Sequence, residues 1–369
     1  MLEQLQKEKE IAIFGAGIVA VEVGSVLTGE PYNLSVSCFM VSRLEENPTE
    51  LFGQPVISID KARDILSKDV QVIIASMEKS LDEIIEILHK KGFFNLIPLT
   101  FESDLWSYFR GNYFMEYCFK LQKKYLKLED ELLKVKDKGE EKDICIYSAK
   151  CHVDKELHED LSCYSWEIPI QVGAELTQKI ICNVRDNQGD NISGKNKQYC
   201  ELTALYWIWK NTQSKYAGLC HYRRHFDLNN EQICQLAVSD IDVVLTIPIL
   251  NFPSVGDIYK KDHIIGDWTI MMEGIGKICP EYLTKAQEIQ NGSYYYAYNM
   301  FIAKKSIFDD YCQWLFTILE YCEKYCEKKD NVYQNRYIGF LAERLLTIYM
   351  TYHENQYKIA HAKKHFVNN

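Results

Sequence analysis

Apolar and polar positions fall in blocks along this chain, and the blocks predict an α/β protein. An apolar strand at 11–14 runs into Gly15-Ala16-Gly17 and a helix beginning near Ile18. Strands follow at 35–41, 56–59 and 70–75, then a helix at 80–91 and a strand near 95–99. Over residues 112–140 the apolar positions Phe114, Cys118, Leu121, Tyr125, Leu128, Leu132 and Val135 alternate spacings of four and three, a heptad seam that predicts a coiled-coil helix. A charged, glycine-broken stretch, 136–142, ends it and marks a boundary. Beyond it strands are expected at 143–149 and 168–173, and a polar loop carries Asp186, Asn187, Asp190 and Asn191. The next helix buries Leu202, Leu205, Tyr206 and Trp209 on one face, and a short strand, 216–220, follows with Gly218 leaving room for close backbone approach. A strand at 243–247, a long loop at 249–268 and an aromatic strand at 294–301 come next. Ser306 and Asp309 form a capping box on a helix whose stripe is Ile307, Phe308, Tyr311, Cys312, Leu315 and Leu319.

Three divisions result: a small Rossmann-like domain at 1–100, a helical connector at 101–141 that would favour a homodimer, and a larger α/β domain at 142–369. In the first, Gly15 and Gly17 belong to a GxGxxA turn between strand and helix, where a nucleotide phosphate is often held. The acidic residue expected at the end of the second strand is missing until Glu45, so a structural or docking role stands beside nucleotide binding.

Composition narrows the function. A net charge of −10 argues against nonspecific nucleic-acid binding. Thirteen cysteines without a CxxC pair fit reduced thiols, and no His/Cys/Asp spacing matches a zinc site. No apolar run approaches the roughly 20 residues of a membrane span, and the charged N-terminus lacks a signal-like core. A cytoplasmic protein is expected, peripheral to the inner membrane at most, with the basic tail 358–369 as the contact.

The chemistry concentrates after strand 216–220, where His221, Tyr222, Arg223 and Arg224 stand at a carboxyl end, the edge where open α/β sheets bind ligands. Paired guanidinium groups bind phosphate bidentately, so an anionic ligand is expected. The strings GDNISGKNKQYCELTALYWIWKN and GLCHYRRHF, with YKKDHIIGDW, YNMFIAKKSIFDDYCQWLF and RYIGFLAERLL, closely resemble a bacterial glycosyltransferase family of capsule and O-antigen gene clusters, long catalogued as a domain of unknown function. The resemblance covers roughly residues 142–350 and implies a GT-A-like fold and a hexosyltransferase using a nucleotide-sugar donor. The donor implied is a UDP-sugar, in some members galactofuranose. The acceptor would be lipid-linked or an oligosaccharide.

On that reading Tyr147 and Ser148 meet the nucleobase, Asp190, Asn191 and Ser193 meet ribose or sugar, and Lys195 meets phosphate. His221, Arg223 and Arg224 hold the diphosphate where many GT-A enzymes carry a metal-binding Asp-x-Asp, so no metal would be required, with Mn²⁺ or Mg²⁺ the alternative. Asp240-Ile241-Asp242 spells that motif at the amino end of a strand, away from the expected site. Asp267, then His263, are the candidate catalytic bases. Asn299, Arg336 and Glu343 carry less weight, and Glu201 reads equally well as a structural carboxylate. Two rival readings are a non-catalytic sugar-nucleotide binding scaffold and an oxidoreductase or epimerase working at Gly15–Ala20. The latter needs a Tyr-x-x-x-Lys pair, absent from residues 1–110.

Overall fold

The computed structural model describes residues 10–137, 143–157 and 165–367, and the chain divides into two compact units, Met1–Lys124 and Tyr125–Asn369. In the first unit, β1 (Ile11–Phe14), β2 (Val36–Val41), β3 (Glu50–Leu51), β4 (Gln54–Ser58), β5 (Gln71–Ile74) and β6 (Leu96–Pro98) form one sheet in the order β3-β4-β2-β1-β5-β6. All pairings are parallel except the β3–β4 hairpin. Both β1 and β5 are wholly buried, which is why they read as apolar runs, broken only by Gln71. Gly15 leaves β1 at φ +124, and a Cβ there would come within 2.6 Å of the Ala75 carbonyl oxygen. Close approach of the turn to the end of β5 therefore accounts for the first glycine. Gly17 faces open space.

The connector is not the continuous helix that the heptad seam predicts. A helix spans Asp104–Lys120 and stops at Gln122, whose φ is +56. Gln122 N–H donates to Phe119 O and Lys123 N–H to Cys118 O, the paired bonds of a Schellman motif formed without glycine. Phe114 and Cys118 are buried in the first unit, and Leu128 and Leu132 in the core of the second. The seam is thus two separate apolar faces that happen to be in phase. The units part after Lys124; residues 138–142 of the anticipated linker lie outside the described residues.

The second unit is built on β7 (Leu126–Lys127), β8 (Ile144–Cys151), β9 (Glu167–Val172), β10 (Val184–Arg185), β11 (Tyr216–His221), β12 (Arg224–Phe226), β13 (Val243–Thr246), β14 (Ile249–Leu250), β15 (Tyr294–Tyr295), β16 (Phe301–Lys304), β17 (Ile359–Ala362) and β18 (Lys364–Phe366). The main sheet runs β10-β9-β8-β11-β16-β13-β17-β7, with β12 and β18 attached beside β11. It is mixed: β16 lies antiparallel to β11 and β13, while β8, β9 and β11 are mutually parallel, as are β13 and β17. The carboxyl ends of β8, β9, β11, β13 and β17 therefore share one edge with the amino end of β16.

Helix Lys305–Tyr325 packs on this sheet, with Ile265–Ile278 and Tyr337–Tyr352 packed against that helix, and the predicted stripe from Ile307 to Leu319 is buried. The helix after β16 starts at Lys305 without a side-chain cap, and Asp309 pairs instead with Lys305 at 2.6 Å. Within the basic tail, Ile359–Ala362 and Lys364–Phe366 are built into the sheet as β17 and β18, Lys364 is 3 % exposed, and Lys363 pairs with Glu129. Among the described residues no helix is long and apolar enough to cross a membrane.

At the centre, Gly218 of β11 lies in register between Ile146 of β8 and Ile302 of β16. A Cβ on it would meet Ile302 Cγ1 at 2.9 Å and the Phe301 carbonyl oxygen at 3.0 Å. Gly218→Ala is expected to cost about 1–3 kcal/mol by overpacking, read as a lowered denaturation midpoint; an unchanged midpoint would show that the strands can spread.

Candidate functional site

Strand β11 ends in a hairpin. His221 pairs with Arg224 across a turn made of Tyr222 and Arg223, and β12 then pairs with β18. The turn presents its basic residues at the edge where the carboxyl ends gather. Arg223 Nε donates to Val367 O at 3.2 Å, and its guanidinium covers the Phe366 ring at 4.5 Å. Arg224 stacks over Tyr298 at 4.2 Å, and the Lys364 ammonium lies 5.5 Å from the same ring.

Tyr298 is the hub. Its N–H donates to Glu343 Oε1 at 2.8 Å, and its carbonyl accepts from His221 Nε2 at 2.5 Å. Since a carbonyl only accepts, Nε2 must carry the ring's proton. The next residue, Asn299, is 1 % exposed; its Nδ2 donates to Glu201 Oε1 at 2.6 Å, and its Oδ1 has no partner. Tyr298 (φ +70), Asn299 (φ +52) and Cys200 (φ +51) all occupy left-handed backbone. Such conformations in non-glycine residues cost about 1–3 kcal/mol each and gather where function over-determines them. Arg336, on the exposed side, donates from Nε to Cys200 Sγ at 3.2 Å.

Charged groups are concentrated here. Arg224, Arg336, Arg344 and Lys364 gather here around two carboxylates, Glu201 and Glu343. Glu343 Oε2 already accepts from Arg344 at 2.7 Å, so both of its oxygens are engaged. Burial holds the Glu343 carboxyl above its usual range despite Arg344. Glu201 is only half-buried, and its Oε2 takes no hydrogen bond from the described residues. Burial also lowers His221, against the pull of Glu201 and with the push of Arg224, so the ring is neutral. An electropositive edge with one accessible carboxylate oxygen suits an anion beside a group that can take a proton.

The other residues singled out from the sequence are placed differently. Tyr147 is buried edge-on against Trp207 at 5.7 Å, so its ring offers no face to a base, and Ser148 is 2 % exposed in the strand. Asp190 accepts from Tyr206 at 3.2 Å, and Asn191 closes a turn by donating to Gly189 O and accepting from Ser193 N. Ser193 is buried and donates to Asp186 Oδ1 at 2.5 Å; Asp186 also accepts from Gly173 and Ala174 N–H. That loop is tied together by its own hydrogen bonds. Lys195 pairs with Glu323 at 2.7 Å.

Asp267, the first-choice base, is 3 % exposed and forms a buried ion pair with Lys329 through Oδ1 at 2.5 Å, so it is withdrawn from the surface where an acceptor would arrive. His263 packs on Phe340 at 4.1 Å near Arg336 and Arg344, and burial holds it at about 3, too weak a base near neutrality. Asp242 pairs with Lys304, and Asp240 with Lys358, at the amino end of β13. A cavity of about 510 Å³ opens beside β9, lined by Lys150, Ile168, Pro169, Ile181 and Asn183 among others, and shares no lining residue with the Tyr298 cluster.

Residues 146–355 match the family described as a domain of unknown function, DUF4422. A solved structure of WbbM, a bifunctional glycosyltransferase in its apo form, is 30% identical with a TM-score of 0.55, over 61% of this chain and 45% of that one. This chain thus spans less than half the length of the protein it matches. No curated protein matches. The mixed α/β fold is GT-A-like.

Three buried rings set the acid response. Burial lowers His221, holds His263 at about 3 and His361 at about 4, whereas an unfolded chain returns each to about 6.5. The unfolded state then binds more protons, so these rings make stability fall as pH drops through about 6.5. His263→Phe should flatten the dependence between about pH 6.5 and 5 by up to one proton, read from denaturant unfolding at a series of pH values; an unchanged slope would mean that His263 is not held neutral.

Proposed function

This chain belongs to the DUF4422 family, and from that premise we propose that it is a glycosyltransferase. It moves a sugar from a nucleoside-diphosphate donor, a UDP-sugar such as UDP-galactofuranose, to a lipid-linked or oligosaccharide acceptor in capsule or O-antigen assembly. The observation that carries this reading is the gathering of Arg224, Arg336 and Lys364 around the Tyr298–Asn299 turn, at the carboxyl edge of a GT-A-like sheet.

The acceptor hydroxyl oxygen attacks the anomeric carbon as the bond from that carbon to the diphosphate oxygen breaks. The departing diphosphate takes the bonding electrons. Fixed guanidinium and ammonium groups neutralise the charge it gains, the part a divalent metal plays elsewhere. Arg224 is oriented for this by the rings on which it lies, and Arg336 closes from the solvent side. In an inverting transfer the hydroxyl proton passes to Glu201 Oε2, its other oxygen being fixed by Asn299. Neutral His221 keeps the Tyr298 carbonyl in place without adding another positive charge.

Titration calorimetry with UDP and a transfer assay with UDP-sugars, each with and without EDTA, test the reading. Arg336→Gln and Arg224→Gln, with melting temperature retained, should weaken UDP binding at least about tenfold, while Glu201→Gln should keep UDP affinity and lose about 10²-fold or more in transfer. UDP affinity unchanged in both arginine variants, or binding abolished by EDTA, would overturn the arrangement.

A further inference from the structure

Behind the basic turn lies a second group of ligating side chains that the transfer chemistry does not use. Cys220 precedes His221 and His225 follows Arg224, so by strand alternation both point to the sheet face opposite the one carrying His221 and Arg224. One step back from the His221–Arg224 pair, they are cross-strand neighbours. Glu167, at the start of β9, reaches the same place: its Oε2 lies 2.7 Å from His225 Nδ1. One ligand atom from each of Glu167, Cys220 and His225 lies within 4.8 Å of the other two.

Burial makes this group unusual. Cys220 is fully buried, and the His225 and Glu167 side chains are 1 % and 4 % exposed. Glu167 Oε1 is buried without a hydrogen-bond partner, and so is Ser148 Oγ, whose residue pairs in register with Cys220. The only polar neighbour left to these two oxygens among the described residues is the Cys220 thiol, a weak partner for groups so deeply buried. A cation among them would satisfy them together. His225 Nε2 lies 3.3 Å from Tyr222 O, and a metal-bound imidazole usually gives its second N–H to such an acceptor. Thiolate, imidazole and carboxylate are the ligand set of Zn²⁺.

We propose that Glu167, Cys220 and His225 bind one Zn²⁺ ion that clamps the two strands of the hairpin carrying His221, Arg223 and Arg224. Binding releases to solvent the thiol proton and the proton shared between His225 Nδ1 and Glu167 Oε2, leaving thiolate, imidazole with its Nε2–H, and carboxylate to coordinate. The ion is structural, held behind the edge where the donor would bind. This site does not depend on the proposed transfer reaction, and either can fail alone. No spacing rule in the sequence finds it, because the third ligand comes from a different strand.

Full-length protein purified without chelator should carry about one zinc per chain by elemental analysis. After removal of zinc, Co²⁺ should give the thiolate-to-cobalt charge-transfer band and the intense visible bands of a tetrahedral site. Cys220→Ser should lose the charge-transfer band and the bound zinc, Glu167→Gln should weaken Zn²⁺ at least tenfold, and Cys234→Ser should change neither. Wild-type protein with neither stoichiometric zinc nor a cobalt–thiolate band overturns the proposal, whether or not the Cys220 variant folds, and so does a band that persists in Cys220→Ser.

Discussion

One peptide, that of Tyr298, joins the parts of the site. Its N–H is held by Glu343 of the helix Tyr337–Tyr352 and its carbonyl by His221 at the end of β11, while its ring carries Arg224. A helix and the β11–β12 hairpin, far apart in sequence, are fixed by one residue in a left-handed conformation. The strain is sustained because both polar groups of that peptide are satisfied by side chains that are themselves held in place.

Charge placement follows from the same joint. Elsewhere in the second unit basic groups are matched by acidic ones, as in Lys195–Glu323, Lys329–Asp267 and Lys304–Asp242. Around Tyr298, aromatic rings support Arg224 and Lys364. An aromatic face stabilises a guanidinium without neutralising it, so the field remains available to an incoming anion. The hairpin keeps those cations at the sheet edge, and the Glu167–Cys220–His225 cluster backs it from the other face.

Much of this was legible. The strands from Ile11 to Phe14 and from Tyr216 to Cys220, the need for glycine at 218, and the basic edge after β11 all follow from local pattern. Arg336, Glu343 and Asn299 were visible only as minor candidates, and Glu201 gave no signal that set it apart from a structural carboxylate. The heptad seam misled because periodicity records which face is buried, not against what; Gln122 ends the helix without glycine or proline. Asp267 and Lys195 looked exposed and chemical in sequence, but each found an opposite charge far along the chain.

The sequence by itself determined the alternation of strands and helices, the cationic character of the turn after β11 and the family to which the chain belongs, since these depend on neighbours within a few residues. Only the tertiary structure decided which charges pair with which. Pairing depends on side chains dozens to more than a hundred positions apart, brought together by the crossing of β16 between β11 and β13. A charged residue is free or committed according to that packing, and no local pattern records it.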